Sequence, residues 1–301
     1  MEHARQMVED GADIIDVGGE STRPGHIMIT DEEEIARVTP IIEKLKKEFD
    51  VPISIDTYKS KVAEAAVQAG ADLVNDIWGL KYDKKIAGVI AKYNVACCLM
   101  HNRKEPDYRR LLPDMCADLE ETLSLADGAG IDREKIILDP GVGFGKTFEH
   151  NLSVLHHLEE FRRFNLPLLL GASRKSVIGN ALKLPVEERL EGTLVTTVLA
   201  VEKGCMFVRV HDVKEHVRAI RMTRAIFGRR SDGSDFASPI CAFFARHGVF
   251  DFEREKGSTS CSPAGLETDT RAAGMSDRLQ ESTSYGRSGG VPGGLSDTEH
   301  L

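Results

Sequence analysis

The sequence lacks a hydrophobic run of about 18 residues, which argues against a transmembrane helix. It also lacks a Cys-x-x-Cys pair. Its six cysteines are scattered at positions 97, 98, 116, 205, 241 and 261, which indicates reduced thiols rather than a disulfide framework or a zinc site. An excess of basic charge is missing too: the net charge is −9, so nonspecific binding to nucleic acid or to anionic membranes is not expected. The first residues predict an amphipathic helix rather than a signal peptide, so we expect a cytoplasmic protein.

What the sequence does contain is a regular alternation of short apolar segments and amphipathic ones. The apolar segments predict strands over residues 13–19, 52–57, 73–78, 95–101, 136–138, 166–173 and 205–211. The amphipathic segments predict helices over residues 1–11, 31–49, 59–69, 84–93, 114–127, 151–164, 186–203 and 213–227. Such alternation is typical of an all-parallel sheet covered by helices, in which the adjacent Cys97 and Cys98 point to opposite faces.

Seven strand–helix units preceded by one helix fit an α/β fold of the (β/α)₈ barrel type over residues 1–230, with seven of its eight strands in this chain. An open, doubly wound sheet is the alternative. Residues 231–301 are rich in Ser, Gly, Thr and Asp and show no lasting period, so we expect them to form a disordered tail.

Residues 135–147 combine a short apolar strand, a carboxylate at its end and a glycine-rich turn, and the other candidate site residues repeat part of this pattern. The buried strand ends at Asp139, Pro140 stops the strand, and glycines at 141, 143 and 145 allow a tight turn. A phosphate-binding loop would need glycine where Pro140 stands, and the glycine spacing does not match the dinucleotide fingerprint. A carboxylate where a parallel strand ends is instead typical of an α/β active site.

The same pattern recurs at other strand ends. Polar side chains stand at or just after the predicted ends of further strands: Asp56, Asn75, His101, Ser173, Lys175, Arg209 and His211. In a barrel these ends converge on one mouth. Structural roles are the alternatives, since Asp56 could cap a helix, Asn75 could satisfy loop backbone groups and His101 could be an ordinary loop histidine.

Arg209 and His211 lie two apart on one predicted strand, so both are expected to point into the barrel. A buried arginine needs an anionic partner, which either Asp139 or a bound substrate could supply. The carboxylates and Asn75 could hold a ring rich in N–H donors, while Lys175, Arg209 and His211 could hold phosphate groups. The residues alone therefore indicate a phosphate-bearing, donor-rich heterocycle as the ligand.

Taken together, the motifs resemble those of dihydropteroate synthases from residue 1 to about 228. The resemblance is carried by Asp-Val-Gly-Gly-Glu-Ser-Thr-Arg-Pro-Gly at 16–25, Ser-Ile-Asp-Thr at 54–57, Asn-Asp-Ile at 75–77, Leu-Asp-Pro-Gly-Val-Gly-Phe-Gly-Lys at 138–146, Ser-Arg-Lys-Ser at 173–176 and Arg-Val-His-Asp at 209–212. It implies a folate-pathway transferase that joins 6-hydroxymethyl-7,8-dihydropterin diphosphate to 4-aminobenzoate, with Mg²⁺ as cofactor, in a homodimer.

The resemblance also implies residue roles. The pterin would be held by Asp56, Asn75, Asp139 and Lys175. The diphosphate would be held by Arg209 and His211, which with Lys175 are the expected catalytic residues. The residues expected around aminobenzoate, where sulfonamides compete, are Thr22, Arg23, Pro24, Phe144 and Ser176.

The beginning of the sequence departs from the family pattern. The family's first strand and its loop carry an asparagine that helps to bind Mg²⁺, and no residue here matches it, so no metal ligand is assigned. We expect a truncated barrel with two exposed edges and an apolar gap, and reduced activity. The alternatives are a pterin-binding methyltransferase domain and an inactive synthase fragment.

Overall fold

The structure is a computed structural model that describes residues 1–21 and 27–227. Its strands are β1 Ile15–Gly18, β2 Ile53–Asp56, β3 Leu73–Asp76, β4 Ala96–Met100, β5 Ile136–Asp139, β6 Leu169–Leu170 and β7 Phe207–Val208. Its helices are α1 Glu2–Glu9, α2 Asp31–Glu48, α3 Ser60–Gln68, α4 Lys85–Tyr93, α5 Leu111–Ala129, α6 Phe148–His156, α7 Ser176–Leu182, α8 Leu190–Glu202 and α9 Val213–Phe227. None of these helices is both long and apolar enough to cross a bilayer.

The strands pair in the order of the sequence. Parallel pairing joins β1 through β5 into one sheet and β6 to β7, and a parallel bridge between Leu138 and Leu168 links the two groups. A doubly wound sheet would reverse its strand order at a switch point, so that alternative is wrong. The sequential order is that of an α/β barrel, as predicted. Within the described residues, β1 pairs with β2 alone and β7 pairs with β6 alone. That the barrel is truncated remains a prediction.

Alternating strand residues build two apolar layers. The barrel interior contains six buried side chains: Leu73, Ala96, Cys98, Ile137, Leu169 and Phe207. On the same strand β4, Cys97 and Leu99 instead belong to the larger core shared with the helices. The two neighbouring cysteines therefore face opposite sides of the sheet, as predicted.

A cavity lies between the edges of β1 and β7, beside α1 and α9, where the sequence predicted an apolar gap. Its volume is about 370 Å³, and its walls include Met7, Phe207 and Ile220 together with the polar side chains of Asp16 and Arg209. The cavity therefore reaches from the helices toward the polar mouth of the barrel.

Four predicted elements differ from the observed ones. The strands predicted over 166–173 and 205–211 contain only two ladder residues each, in β6 and β7. The helix predicted over 151–164 is α6 followed by a 3₁₀ helix at Leu158–Phe164, and that predicted over 186–203 is a 3₁₀ turn followed by α8. The predicted tail, 231–301, lies outside the described residues.

Candidate functional site

The carboxyl ends of β2, β3 and β5 bring three predicted site residues to one edge of the sheet. Asp56 and Asn75 are register partners on adjacent strands, and Asn75 Nδ2 donates to Asp56 Oδ1 at 2.7 Å. Asp139 ends β5 on the same edge. Asp56 caps no helix, since α3 begins after Lys59 without a side-chain cap bond. The helix-cap alternative for Asp56 is therefore wrong.

Asn75 has an unused acceptor. Its side chain is completely buried, and Oδ1 has no hydrogen-bond partner among the described residues. A buried amide oxygen without a donor is unfavourable by about 1–3 kcal/mol. Such an atom next to a carboxylate is suited to receive an N–H from a ligand.

Asp139 and two cations converge around Gly171, just beyond β6. A β-carbon on Gly171 would lie 3.7 Å from Asp139 Oδ2, 3.8 Å from Lys175 Nζ and 3.9 Å from Arg209 Cβ. The other carboxylate oxygen, Oδ1, accepts from the backbone N–H of Gly141 at 2.7 Å. One oxygen of Asp139 therefore fixes the glycine-rich turn, while the other faces the site.

Lys175 crosses the site from the N-terminal end of α7. Its ammonium group donates to the carbonyl of Val142 and lies 4.6 Å from the centre of the Phe144 ring. Burial lowers the pKa of Lys175 to about 8, although Asp139 opposes the shift. The cation is thus held near the carboxylate of Asp139 and an aromatic face. Ser176 is the exposed first residue of the helix.

Arg209 finds its direct ion partner in Asp16, with Nε 3.2 Å from Oδ2. The sequence offered Asp139 or a substrate as partner and missed Asp16. Burial alone would lower the pKa of Arg209. The negative charges of Asp16 and Asp56 outweigh burial and raise this pKa above its usual range. An aspartate in the middle of the otherwise apolar strand β1 was the available signal.

The pKa of Asp56 is raised as well, but for a carboxyl group a raised pKa favours the neutral form. Burial, and then the neighbouring charge of Asp16, raise the pKa of Asp56 to about 7, while Arg209 counteracts them. Its ionisation near neutral pH therefore depends on what lies beside it. A ligand that brings N–H donors would favour the carboxylate form.

His211 is exposed rather than inside the barrel, so that prediction is wrong. The cause is that β7 ends at Val208, and residue 211 lies beyond the alternating part of the strand. Ser173 Oγ lies 2.8 Å from His211 Nδ1 and accepts the backbone N–H of His211. Next to it, Arg174 is paired with Asp212. These two pairs join the segments that follow β6 and β7.

Thr22, Arg23 and Pro24 lie outside the described residues, but both ends of their loop are described. Lys59 Nζ donates to Glu20 Oε2 at 2.7 Å, to the carbonyl of Ile29 at 2.8 Å and to Glu34 Oε2 at 2.8 Å. Glu20 also accepts from the backbone N–H of Ile29. The loop therefore begins and ends at one buried ammonium group, which the sequence analysis did not identify.

His101 does not join the other strand-end residues in these contacts. It is buried behind the glycine-rich turn, between Lys146 and Asp118. Lys146 in turn donates to carbonyls of its own loop. The ammonium group of Lys146 is therefore engaged by the glycine-rich turn itself.

Comparisons with known proteins agree with this arrangement. The family model described as pterin binding enzyme matches residues 1–211. A dihydropteroate synthase from Clostridium beijerinckii is 58% identical over 230 residues, which cover 76% of this chain and 86% of that protein.

Two solved structures are similar throughout most of the chain. The dihydropteroate synthase from Clostridium difficile, in the presence of pteroic acid, is 51% identical with a TM-score of 0.75, covering 76% of this chain and 87% of that one. The Xanthomonas albilineans enzyme with 4-aminobenzoic acid is 37% identical with a TM-score of 0.74, covering 76% and 84%. The chain belongs to the pterin-binding enzymes and, within them, to the dihydropteroate synthases, which are transferases of folate biosynthesis.

Proposed function

We propose that this chain condenses 6-hydroxymethyl-7,8-dihydropterin diphosphate with 4-aminobenzoate, and that the residues at the barrel mouth have the following roles. Asp56, Asn75, Asp139 and Lys175 bind the pterin. Arg209 and His211 bind the diphosphate. Phe144 and Ser176, with Thr22, Arg23 and Pro24, surround aminobenzoate.

The single observation that supports this most is the unpartnered Oδ1 of Asn75 between β2 and β4. With Asp56 and Asp139 it offers three acceptors on one edge, and a pterin ring carries several N–H donors. A carboxylate accepts two parallel N–H bonds from a guanidine-like edge, which favours such a ring over a ligand rich in acceptors.

In the proposed reaction the bond between the pterin methylene and the diphosphate oxygen breaks. The diphosphate leaves with the electron pair, and the amine of aminobenzoate forms the new C–N bond and then loses a proton to solvent. Positive charge grows on the pterin and negative charge on the leaving group. Asp56 and Asp139 stabilise the former, whereas Arg209 and Lys175 stabilise the latter. A neutral aromatic amine needs no strong general base.

The described residues do not fit a protein-built magnesium site. No three His, Cys, Asp or Glu side chains gather as metal ligands in the described part of the chain, and Asp16 is already paired with Arg209. We therefore assign no step to a protein-bound Mg²⁺ ion and place the charge of the diphosphate against the cations named above.

A direct test of the proposed function is a condensation assay on the full chain, with sulfonamide as competitor. We expect dihydropteroate and diphosphate in equal amounts, and inhibition that aminobenzoate relieves. Methyl transfer from methyltetrahydrofolate to a corrinoid would support the methyltransferase alternative. Pterin binding without either reaction would support an inactive fragment.

A homodimer in the cytoplasm is part of the proposal. The neighbouring helices α8 and α9 expose large apolar side chains that a second copy could cover: Val195, Val198, Met222, Ile226 and Phe227. Exposed apolar surface of this extent on two adjacent helices is typical of an interface. Among the described residues the cysteines are free thiols, as expected in a reducing compartment.

We expect Val195→Glu to convert the dimer to monomer, because it places a charge on this exposed apolar face. Light scattering coupled to size exclusion measures the mass directly. Leu152→Glu, an exposed apolar position on α6, is the matched control and should remain dimeric. A monomeric parent chain, or a dimeric Val195→Glu variant, would contradict this assignment.

A further inference from the structure

Behind the glycine-rich turn, four polar side chains form a chain of contacts that the proposed reaction does not use. Lys146 Nζ lies 2.9 Å from the carbonyl oxygen of Gly141, 3.0 Å from that of Phe144 and 3.0 Å from His101 Nδ1. His101 Nε2 lies 2.9 Å from Asp118 Oδ2. Arg103 binds both oxygens of Asp118, with Nε at 2.6 Å.

The protonation states of these groups determine which atom donates and which accepts in each contact. Burial opposes ionisation, yet the hydrogen bonds from His101 and Arg103 hold the pKa of Asp118 below its usual range, so Asp118 is an acceptor only. His101 Nε2 must then carry the proton. Burial lowers the pKa of His101 to about 4, so the ring is neutral and Nδ1 is an acceptor. Lys146 in its ammonium form then donates all three of its hydrogen bonds, two of them to the turn. Burial lowers the pKa of this ammonium group to about 7, although Asp139 opposes the shift.

The turn also touches the backbone that carries His101 and Arg103. A β-carbon on Gly141 would lie 2.0 Å from the carbonyl oxygen of His101, and one on Gly145 would lie 2.3 Å from that of Arg103. Both glycines have positive φ, at +68° and +52°. Tyr108 adds a hydrogen bond from its hydroxyl to the carbonyl of Gly145 at 2.8 Å. The turn is therefore seated against a fixed neighbour.

The contact made by Lys146 has a direct link to the site. Phe144 has its carbonyl held by Lys146, its N–H bonded to the carbonyl of Gly141 at 3.1 Å, and its ring beside the ammonium of Lys175. A shift of the turn would move the Phe144 ring relative to Lys175. Ångström-scale shifts of this kind are enough to change substrate positioning.

We propose that Lys146 is a positioning residue, anchored by His101 and Asp118, that fixes the glycine-rich turn so that the Phe144 ring, beside the pterin-binding Lys175, receives the aromatic amine substrate. The inference rests on the proposed function for the identity of that substrate. Lys146 is not among the residues to which binding of either reactant is assigned. Its action passes through the main chain of the turn.

The test compares Lys146→Met with Lys104→Met, an exposed lysine of the neighbouring loop, in the full chain. We expect Lys146→Met to raise the KM for aminobenzoate about 10- to 100-fold while kcat changes much less, because only the placement of Phe144 is altered. Amide hydrogen exchange of residues 141–147 should become faster in the same variant. Lys104→Met should match the parent chain in all three measurements.

His101→Phe provides a second variant, since it keeps a ring but removes the acceptor for Lys146. We expect a smaller rise in KM, and a double variant less affected than the sum of both changes. A folded Lys146→Met chain with parental KM and parental exchange would overturn the inference. If Lys146→Met does not fold, a folded His101→Phe chain with parental KM and parental exchange would overturn the inference.

Failure of the proposed function has a separate signature. A parent chain that does not condense the two substrates would refute the function, yet exchange of residues 141–147 would still report whether Lys146 holds the turn. Faster exchange without a change in KM would show that the turn is held by Lys146 but does not position substrate, which also contradicts the proposal.

Discussion

Asp139→Asn is expected to weaken binding of the pterin diphosphate about 100-fold or more. The substitution keeps an oxygen for the N–H of Gly141 but removes the negative charge that faces Lys175 and Arg209. Loss of one partner from a buried, hydrogen-bonded charge group typically costs about 2–5 kcal/mol. Each 1.4 kcal/mol corresponds to about a factor of ten in affinity. Calorimetric titration of the full chain with the pterin diphosphate measures the effect.

The matched control is Asp50→Asn, an exposed aspartate that precedes β2 at the opposite end of the barrel. This substitution also removes one negative charge, but it lies away from the mouth of the barrel. The affinity of this variant for the pterin diphosphate should equal that of the parent chain. Thermal unfolding of both variants separates lost binding from lost folding. Parental affinity in a folded Asp139→Asn chain would show that this carboxylate does not bind the pterin.

Lys59→Met is expected to have the largest effect on folding. The methionine keeps an unbranched side chain of similar size but leaves the buried carboxylates of Glu20 and Glu34 without their shared cation. Removing one partner of a buried ion pair typically destabilises a protein by about 3–5 kcal/mol. Urea unfolding of the full chain should show a clearly lower midpoint. The loop that holds Thr22, Arg23 and Pro24 also loses the contact that closes it.

Lys61→Met is the control on the same helix, because the Lys61 side chain is exposed and its ion pairs with Asp31 and Glu32 are at the surface. Its midpoint should stay near that of the parent. Adding Glu34→Gln to Lys59→Met should recover part of the loss, since it removes one of the uncompensated charges. An unchanged midpoint for Lys59→Met would mean that water replaces the ammonium at no cost.

The sequence alone predicted those parts of the structure that depend on local residue patterns. Strands β1 to β5 and their helices follow from the alternation of short apolar segments with amphipathic ones, and the ends of parallel strands place Asp56, Asn75 and Asp139 on one edge. The glycine-rich turn was predicted because Pro140 stops the strand and the glycines allow the backbone to turn tightly. Such signals lie within a few residues of each other.

The features that the sequence analysis missed depend on distant contacts. Asp16 pairs with Arg209 although 193 positions separate them in the sequence, and Lys59 gathers Glu20 and Glu34 from two other segments. No local period encodes such partners. His211 was misplaced for a different reason: β7 stops at Val208, so the alternation that put residues 209 and 211 on one inward face no longer applies.

The back-to-back cysteines of β4 have a practical consequence. Burial raises the pKa values of Cys97 and Cys98 far above that of a free thiol, so neither reacts readily while the wall of the barrel is closed. Cys98 faces the interior and Cys97 faces the helical layer. A thiol reagent that reaches one before the other therefore reveals whether the molecule first opens at its centre or first releases its outer helices. Two neighbouring residues with thiols on opposite faces of one strand thus provide an intrinsic, direction-sensitive record of how the fold comes apart.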